Sequence, residues 1–281
     1  MTMSYLMHSI IHLALIEDIG NGDITTDALV NPDMKGIAKI IAKQDMVLAG
    51  LEMVNSVFNF IAPEPCQFES EHHNGDTISE TQVVCEIKSS LKTLLEGERI
   101  ALNFLQRLSG IATTTRSYVE ILGNRIRPII VDTRKTTPGW RILEKNAVRS
   151  GGAKNHRMGL FDGVLIKDNH IKVCGGIVPA IKKIRKHISH LSKIEVEVET
   201  FEQLEDALSA KADIIMLDNM SIEKIHQAVK IVDRRALLEV SGGVTKKHVA
   251  ELADSGVDII SIGGLTHSAK AVDLSMVIQK A

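Results

Sequence analysis

The period of the apolar positions changes along the chain. From Tyr5 to Ile16, Leu6, Ile10, Leu13 and Ile16 recur at helical spacing and predict one helix with one buried stripe. Asn21, Gly22 and Asp23 break it, and Asp23, Thr25 and Thr26 read as turn and cap residues. Between Lys35 and Leu95 the texture is mixed. Ile37–Ile41, Met46–Leu48, Gln67–His72 and Gln82–Lys88 read as strands and Leu51–Ile61 as a helix, punctuated by Pro63, Pro65 and an Asn74-Gly75 turn. That mixture predicts a small α+β domain. Glu96–Leu108 is helical, with Ala101, Leu105 and Leu108 on one face, and Ser109-Gly110 is expected to interrupt it before a further helix to Leu122.

After Pro128 strands and helices alternate strictly. Strands are readable at Ile129–Asp132, Gly163–Lys167, Ile194–Glu199, Asp213–Asp218, Leu237–Val240 and Ile259–Ile262. Ile177, Ile181, Ile184, Ile188 and Leu191 make one helical stripe; Leu204, Ala207 and Leu208 make another. Thr200 with Gln203 forms a capping box, and Ser221 and Thr245 are good N-caps. Six such units are fewer than the eight of a full (β/α)₈ barrel. The expected division is a sandwich domain over 1–110 and a barrel domain over 111–281, with a C-terminal helix packing back on the first.

Composition narrows the function classes. The 281 residues are 44% hydrophobic and 24% charged, with a net charge of −2, which describes an ordinary globular protein and argues against nucleic acid or anionic membrane as the main partner. No apolar run approaches a membrane span, and Met1–Ile16 lacks the cationic start and long apolar core of a secretory leader, so a cytoplasmic location is expected. Cys66, Cys85 and Cys174 are single and widely spaced, which supports neither a disulfide framework nor a CxxC metal site. His72 and His73 read as loop histidines.

Charge is nevertheless concentrated. Asp132–Ile171 carries eight Lys or Arg (Arg134, Lys135, Arg141, Lys145, Arg149, Lys154, Arg157, Lys167) against four acids (Asp132, Glu144, Asp162, Asp168). The strand at Ile129–Val131 delivers Thr133, Arg134 and Lys135 at its carboxyl end, and Val164–Ile166 delivers Lys167 at the same rim, where α/β sheets and barrels place their ligands. Thr137-Pro138 is expected to start a helix that Gly151-Gly152 stops, with Arg141, Lys145 and Arg149 on one surface face. Arg99 alone reads as a surface arginine.

Glu195, Glu197 and Glu199 alternate with Ile194, Val196 and Val198. That pattern fits a barrel strand with inward glutamates or an exposed edge strand; Asp218, closing the next strand, favours the barrel. Glu197 and Asp218 are then expected at one rim, opposite the cations, as a carboxylate pair suited to Mg²⁺. Ser241-Gly242-Gly243 and Gly263-Gly264 each end a strand and precede a helix, which suits phosphate bound by backbone amides.

Several ordered motifs spread over nearly the whole chain carry a resemblance: EDIGNGDITTDALV (17–30), GERIALNFLQRLSGIAT (97–113), DTRKTTPG (132–139), GGAKNHRMGL (151–160), LIKDNH (165–170), EVEVE (195–199), MLDN (216–219), EVSGG (239–243) and IGGLTHS (262–268). Together they resemble the quinolinate phosphoribosyltransferases, the carboxylating nicotinate-nucleotide pyrophosphorylases. The resemblance implies an N-terminal open-faced sandwich and an incomplete, six- to seven-stranded α/β barrel. It implies transfer of phosphoribosyl from phosphoribosyl pyrophosphate to quinolinate with loss of CO₂, for NAD synthesis, with Mg²⁺ as cofactor. By the same resemblance Arg99, Arg134, His156, Arg157 and Lys167 hold the dicarboxylate, and Thr133 and Lys135 line its junction with the sugar phosphate. Lys135, Glu197 and Asp218 become the catalytic candidates, and Arg99 is expected to cross a homodimer interface into the partner's pocket. Gly263 stands where the family often has alanine. Other readings remain: a Schiff-base aldolase using Lys167, a silent phosphate-binding barrel, and a nicotinate-specific transferase.

Overall fold

The computed structural model describes residues 3–31 and 33–280, and the side chains of Met3, Ser4 and Leu6 lie outside the described residues, so Leu6 of the expected stripe goes untested. The chain forms two compact units: residues 1–116, 136–152 and 268–281 make the first, and 117–135 with 153–267 the second.

In the first unit, α1 (Met3–Asp18) and α2 (Ile24–Leu29) precede β1 (Lys35–Ala42), β2 (Met46–Val47), α3 (Leu51–Ile61), β3 (Gln67–Glu69), β4 (Thr77–Ile78), β5 (Val83–Ser90) and α4 (Leu91–Leu122), whose last residues belong to the second unit. Asp23 caps α2, accepting from Thr25 and Thr26 as the sequence suggests. The main sheet is antiparallel, in the order β12 (Leu274–Lys280), β1, β5, β3, and β1 alternates buried and less buried residues, as a strand covered on one face does.

Five expectations fail in this unit. On α1 the buried positions are Ile11 and Leu15, while Leu13 and Ile16 are exposed, so the stripe lies one residue along from the expected one. Ser109-Gly110 does not break α4. Ser109 is buried and bonds both the N–H and the carbonyl of Ala49, and a Cβ on Gly110 would stand 2.0 Å from the Lys270 carbonyl oxygen, so this glycine serves close backbone approach inside a 32-residue helix. The chain's end, β12 (Leu274–Lys280), is a strand paired with β1 rather than a helix; its β-branched Val277 and Ile278 suit a ladder. Finally α5 (Arg141–Ser150) starts four residues after Thr137, because Thr137 donates through both its N–H and its hydroxyl to Glu144 and Gly139 turns at positive φ.

That last contact buries charge. Glu144 is inaccessible to solvent and also receives Arg107 at 3.2 Å, so its charge is matched inside the unit. Lys145, read as a surface residue, is fully buried too.

The second unit is an alternating barrel: β6 (Ile129–Val131), β7 (Val164–Ile166), α6 (Asp168–Cys174), α7 (Ile177–Arg185), β8 (Ile194–Val198), α8 (Phe201–Ser209), β9 (Ile214–Asp218), α9 (Ile222–Val232), β10 (Leu237–Ser241), α10 (Lys246–Leu252), β11 (Ile259–Ser261) and α11 (Gly264–His267). All six expected strands are present and parallel, in the order β6-β11-β10-β9-β8-β7. Among the described residues no ladder joins β6 to β7, so the barrel is incomplete. At the open edge Lys154 bridges Val131, its N–H donating to the Ile130 carbonyl and its carbonyl accepting from the Asp132 N–H. Ile194, Val196, Val198, Ile215 and Leu217 on the strands and Leu204, Ala207, Ile225 and Ala228 on the helices are buried, each apolar side chain of Val or Leu size contributing about 2 kcal/mol.

Candidate functional site

Inward residues are set by register. Glu195 is level with Ile214 and Glu197 with Met216, while Asp218 is level with Ser241, so β8, β9 and β10 turn the same alternate positions toward the barrel interior. Glu195, Glu239, His156, Arg157, Lys154 and Val131 line a cavity of about 960 Å³. The glutamates therefore belong to a barrel and not to an exposed edge.

The carboxyl end of β6 is built around Asp132, which is fully buried. Its two oxygens accept from the His156 backbone N–H at 2.8 Å and the Asn155 side chain at 2.6 Å, so strand β6 fixes the 155–157 segment. Two buried hydrogen bonds to a carboxylate contribute about 1.5–3 kcal/mol each. Arg157 then reaches the Gly163 carbonyl at 3.0 Å. Burial, and next the charge of Arg134, lower the Arg157 pKa.

Lys135 turns to the second glycine loop. Its N–H donates to the Thr133 hydroxyl, its carbonyl accepts from Thr266 at 2.8 Å, and its side chain lies where a Cβ on Gly263 would stand 3.1 Å from it. The first glycine loop abuts the carboxylate rim. Asn219 donates from its backbone to the Ser241 carbonyl, and its side chain occupies the space that a Cβ on Gly242 would need, at 2.2 Å, while Gly242 itself has φ +92°. Only glycine satisfies both conditions. Ser241, Gly242, Gly243, Gly263 and Gly264 thus sit at the ends of β10 and β11, beside Asp218 and Lys135.

Lys167, at the end of β7, pairs with Glu197 on β8. The expectation that the carboxylates stand opposite the cations is thereby corrected: neighbouring strands put the two charges side by side. Glu197 and Asp218 are oxygen donors on adjacent strands, with Asp218 half-buried beside the glycine loop, a donor set that fits Mg²⁺.

Thr133, Arg134, Lys135, His156, Arg157, Lys167, Glu197, Asp218 and both glycine loops all belong to the second unit. Arg99 does not; it is exposed on α4 in the first. Two buried acids carry little signal in the sequence alone. Glu239 was quoted only as part of a glycine motif, yet it is 1% exposed and faces His156 at 3.7 Å. Burial, and then the Glu195 carboxylate, push its carboxyl up to about 8 against the opposing pull of His156. A charged residue at an inward position of the apolar run LLEVS was the available signal. Asp132 was counted as one acid among four, though an acid directly after a three-residue apolar strand sits where burial ends.

The model of the quinolinate phosphoribosyl transferase N-terminal domain matches residues 23–109, and that of the C-terminal domain residues 111–277. A Bacillus subtilis (strain 168) protein named probable nicotinate-nucleotide pyrophosphorylase (carboxylating) is 44% identical over 93% of this chain and 89% of its own. The chloroplastic nicotinate-nucleotide pyrophosphorylase (carboxylating) of Arabidopsis thaliana is 37% identical over 98% and 83%. The crystal structure of NadC from Streptococcus pyogenes superposes with a TM-score of 0.94 at 39% identity, covering 100% of this chain and 99% of that one. The chain belongs to the quinolinate phosphoribosyltransferase family.

Proposed function

We propose that this chain transfers the phosphoribosyl group of phosphoribosyl pyrophosphate to quinolinate with loss of CO₂, giving nicotinate mononucleotide and pyrophosphate in NAD synthesis. The observation that supports this reading is one barrel rim, where Lys135 lies against the Gly263 loop and Lys167 pairs with Glu197 on the neighbouring strand.

Arg134, Arg157 and Lys167 bind the two carboxylates of the planar ring, the arginines in the bidentate manner that suits carboxylate. Thr133 and Lys135 line the boundary with the sugar phosphate, and the amides at Ser241, Gly242, Gly243, Gly263 and Gly264 hold the 5′-phosphate. The pyridine nitrogen lone pair forms the bond to the anomeric carbon as the bond to pyrophosphate oxygen breaks. Positioning of the two reactants contributes about 7–11 kcal/mol. Glu197 and Asp218 face the positive charge that develops at the sugar. The cationic ring then loses the adjacent carboxylate as CO₂; the electron pair stays on the ring carbon, which takes a proton. No general base is needed, in keeping with a site rich in Arg and Lys.

Glu197 and Asp218 would hold Mg²⁺, which when bound neutralises the charge of the leaving pyrophosphate. Arg99 would complete the dicarboxylate site of a second copy in a homodimer, an assignment its exposure on α4 supports. Incubation with quinolinate, phosphoribosyl pyrophosphate and Mg²⁺, with nicotinate in parallel, tests the reading: mononucleotide from quinolinate alone is expected, and mononucleotide from nicotinate alone would replace it with the monocarboxylate reading.

A further inference from the structure

We propose that His156 is a positioning residue for Arg157, held in place by the buried pair Glu195 and Glu239, and makes no direct bond to the substrate carboxylates. The inference rests on the quinolinate reading of the site and deepens it.

The hydrogen bonding of the ring decides the matter. The backbone N–H of Arg157 donates to His156 Nδ1 at 2.8 Å. An amide N–H can only donate, so Nδ1 presents a lone pair and the ring proton is on Nε2. Nε2 faces Glu195 Oε2 at 3.1 Å and Glu239 Oε1 at 3.7 Å. Both ring nitrogens are therefore committed inside the protein, one to the backbone of the next residue and one to the barrel interior. The backbone of His156 is fixed as well, donating to Asp132 at 2.8 Å. The residue that this strap locks is Arg157, whose own N–H is the donor at one end and whose guanidinium is tied to Gly163 at the other.

The two carboxylates fit a holding role. Glu195 is 5% exposed and Glu239 1%, and in each Oε1 has no hydrogen-bond partner among the described residues. Turned on a dicarboxylate Glu195 would repel it; turned on the imidazole N–H at 3.1 Å it anchors a neutral ring, with the Glu239 carboxyl beside it. The donor atoms of His156, Glu195 and Glu239 lie within 4.8 Å of one another, close enough for a cation. A metal, however, needs the Nε2 lone pair, and that nitrogen carries the proton.

The test uses the full protein labelled with ¹⁵N-histidine, the His156 signals being assigned by their loss in His156→Gln. Expected are the Nε2–H tautomer in the free protein and ring shifts that do not move when quinolinate saturates the site. In titrations with quinolinate, Arg157→Ala weakens binding about tenfold or more, and His156→Gln/Arg157→Ala binds no worse than Arg157→Ala alone. Glu239→Gln, which keeps the shape of the side chain, raises KM for quinolinate several-fold and leaves kcat within about twofold. Movement of either ring nitrogen on adding quinolinate, or additive losses in the double variant, would overturn the proposal while the substrate reading stands. Failure of the unaltered protein to bind quinolinate would overturn both.

Discussion

Lys167 and Glu197 are paired, ammonium to carboxylate, across the neighbouring strands β7 and β8. Each is wanted by a different part of the proposed reaction, the lysine by a substrate carboxylate and the glutamate by the sugar or its metal. Quinolinate entering the site would take over Lys167 and release Glu197.

That exchange gives a first prediction. In Glu197→Gln the lysine has no internal competitor, so quinolinate should bind as tightly as in the unaltered protein or more tightly. Turnover should nonetheless fall by about a hundredfold or more, the size of effect seen when one electrostatic stabiliser of a transition state is removed. Calorimetric titration and steady-state rates on the same preparation check it; weaker quinolinate binding would refute the competition.

Asp132→Ala removes the anchor for residues 155–157. Two buried hydrogen bonds to a charged acceptor are lost and two donors are orphaned, so unfolding free energy should drop by about 3 kcal/mol or more, with a matching rise in KM for quinolinate. Denaturant unfolding measures the first. An unchanged midpoint would mean that the segment is held by other contacts.

Glu239 makes stability depend on pH. Its carboxyl goes from an ordinary 4.5 to about 8 on folding, so between those values the folded protein keeps a proton that the unfolded chain releases. The stability tied to that proton is fully present below about pH 4.5 and is lost as pH rises toward 8. Glu239→Gln lacks the penalty, so its Tm should gain on that of the unaltered protein steadily from pH 5 to 8. A constant difference in Tm over that range would show that the carboxyl is not raised.

Gly110→Ala forces a Cβ against the Lys270 carbonyl within the first unit. Overpacking of this kind costs typically about 1–3 kcal/mol, against the gain of a few tenths to 1 kcal/mol expected for a glycine replaced inside a helix. Thermal unfolding separates the two: a raised Tm would mean that the glycine merely weakens the helix.

Much of the barrel could be read from the chain because its strands are short apolar runs with one charged or glycine residue at the end, and end position is what places Arg134, Lys167, Asp218 and Ser241. The resemblance added roles to those positions. What could not be read depends on the third dimension. Lys145 sits at i+4 between Arg141 and Arg149 and looks like a solvated face, yet its helix turns that position into the first unit's interior. Gly110 looks like a helix stop because local propensity cannot report the backbone of residue 270 pressing against it. Glu239 and Asp132 are single acids in apolar company, a pattern whose meaning appears only when His156 and Asn155, far away in sequence, are seen against them.

The central claim is that quinolinate loses the carboxylate next to its ring nitrogen as the nitrogen takes the phosphoribosyl group. Quinolinate carrying ¹³C in that carboxylate, or in the other one, tests this directly when incubated with phosphoribosyl pyrophosphate and Mg²⁺. The account predicts labelled CO₂ from the first substrate only, in equal amount to nicotinate mononucleotide and none without phosphoribosyl pyrophosphate. Labelled CO₂ from the second substrate, or mononucleotide formed with both carboxylates retained, would contradict it.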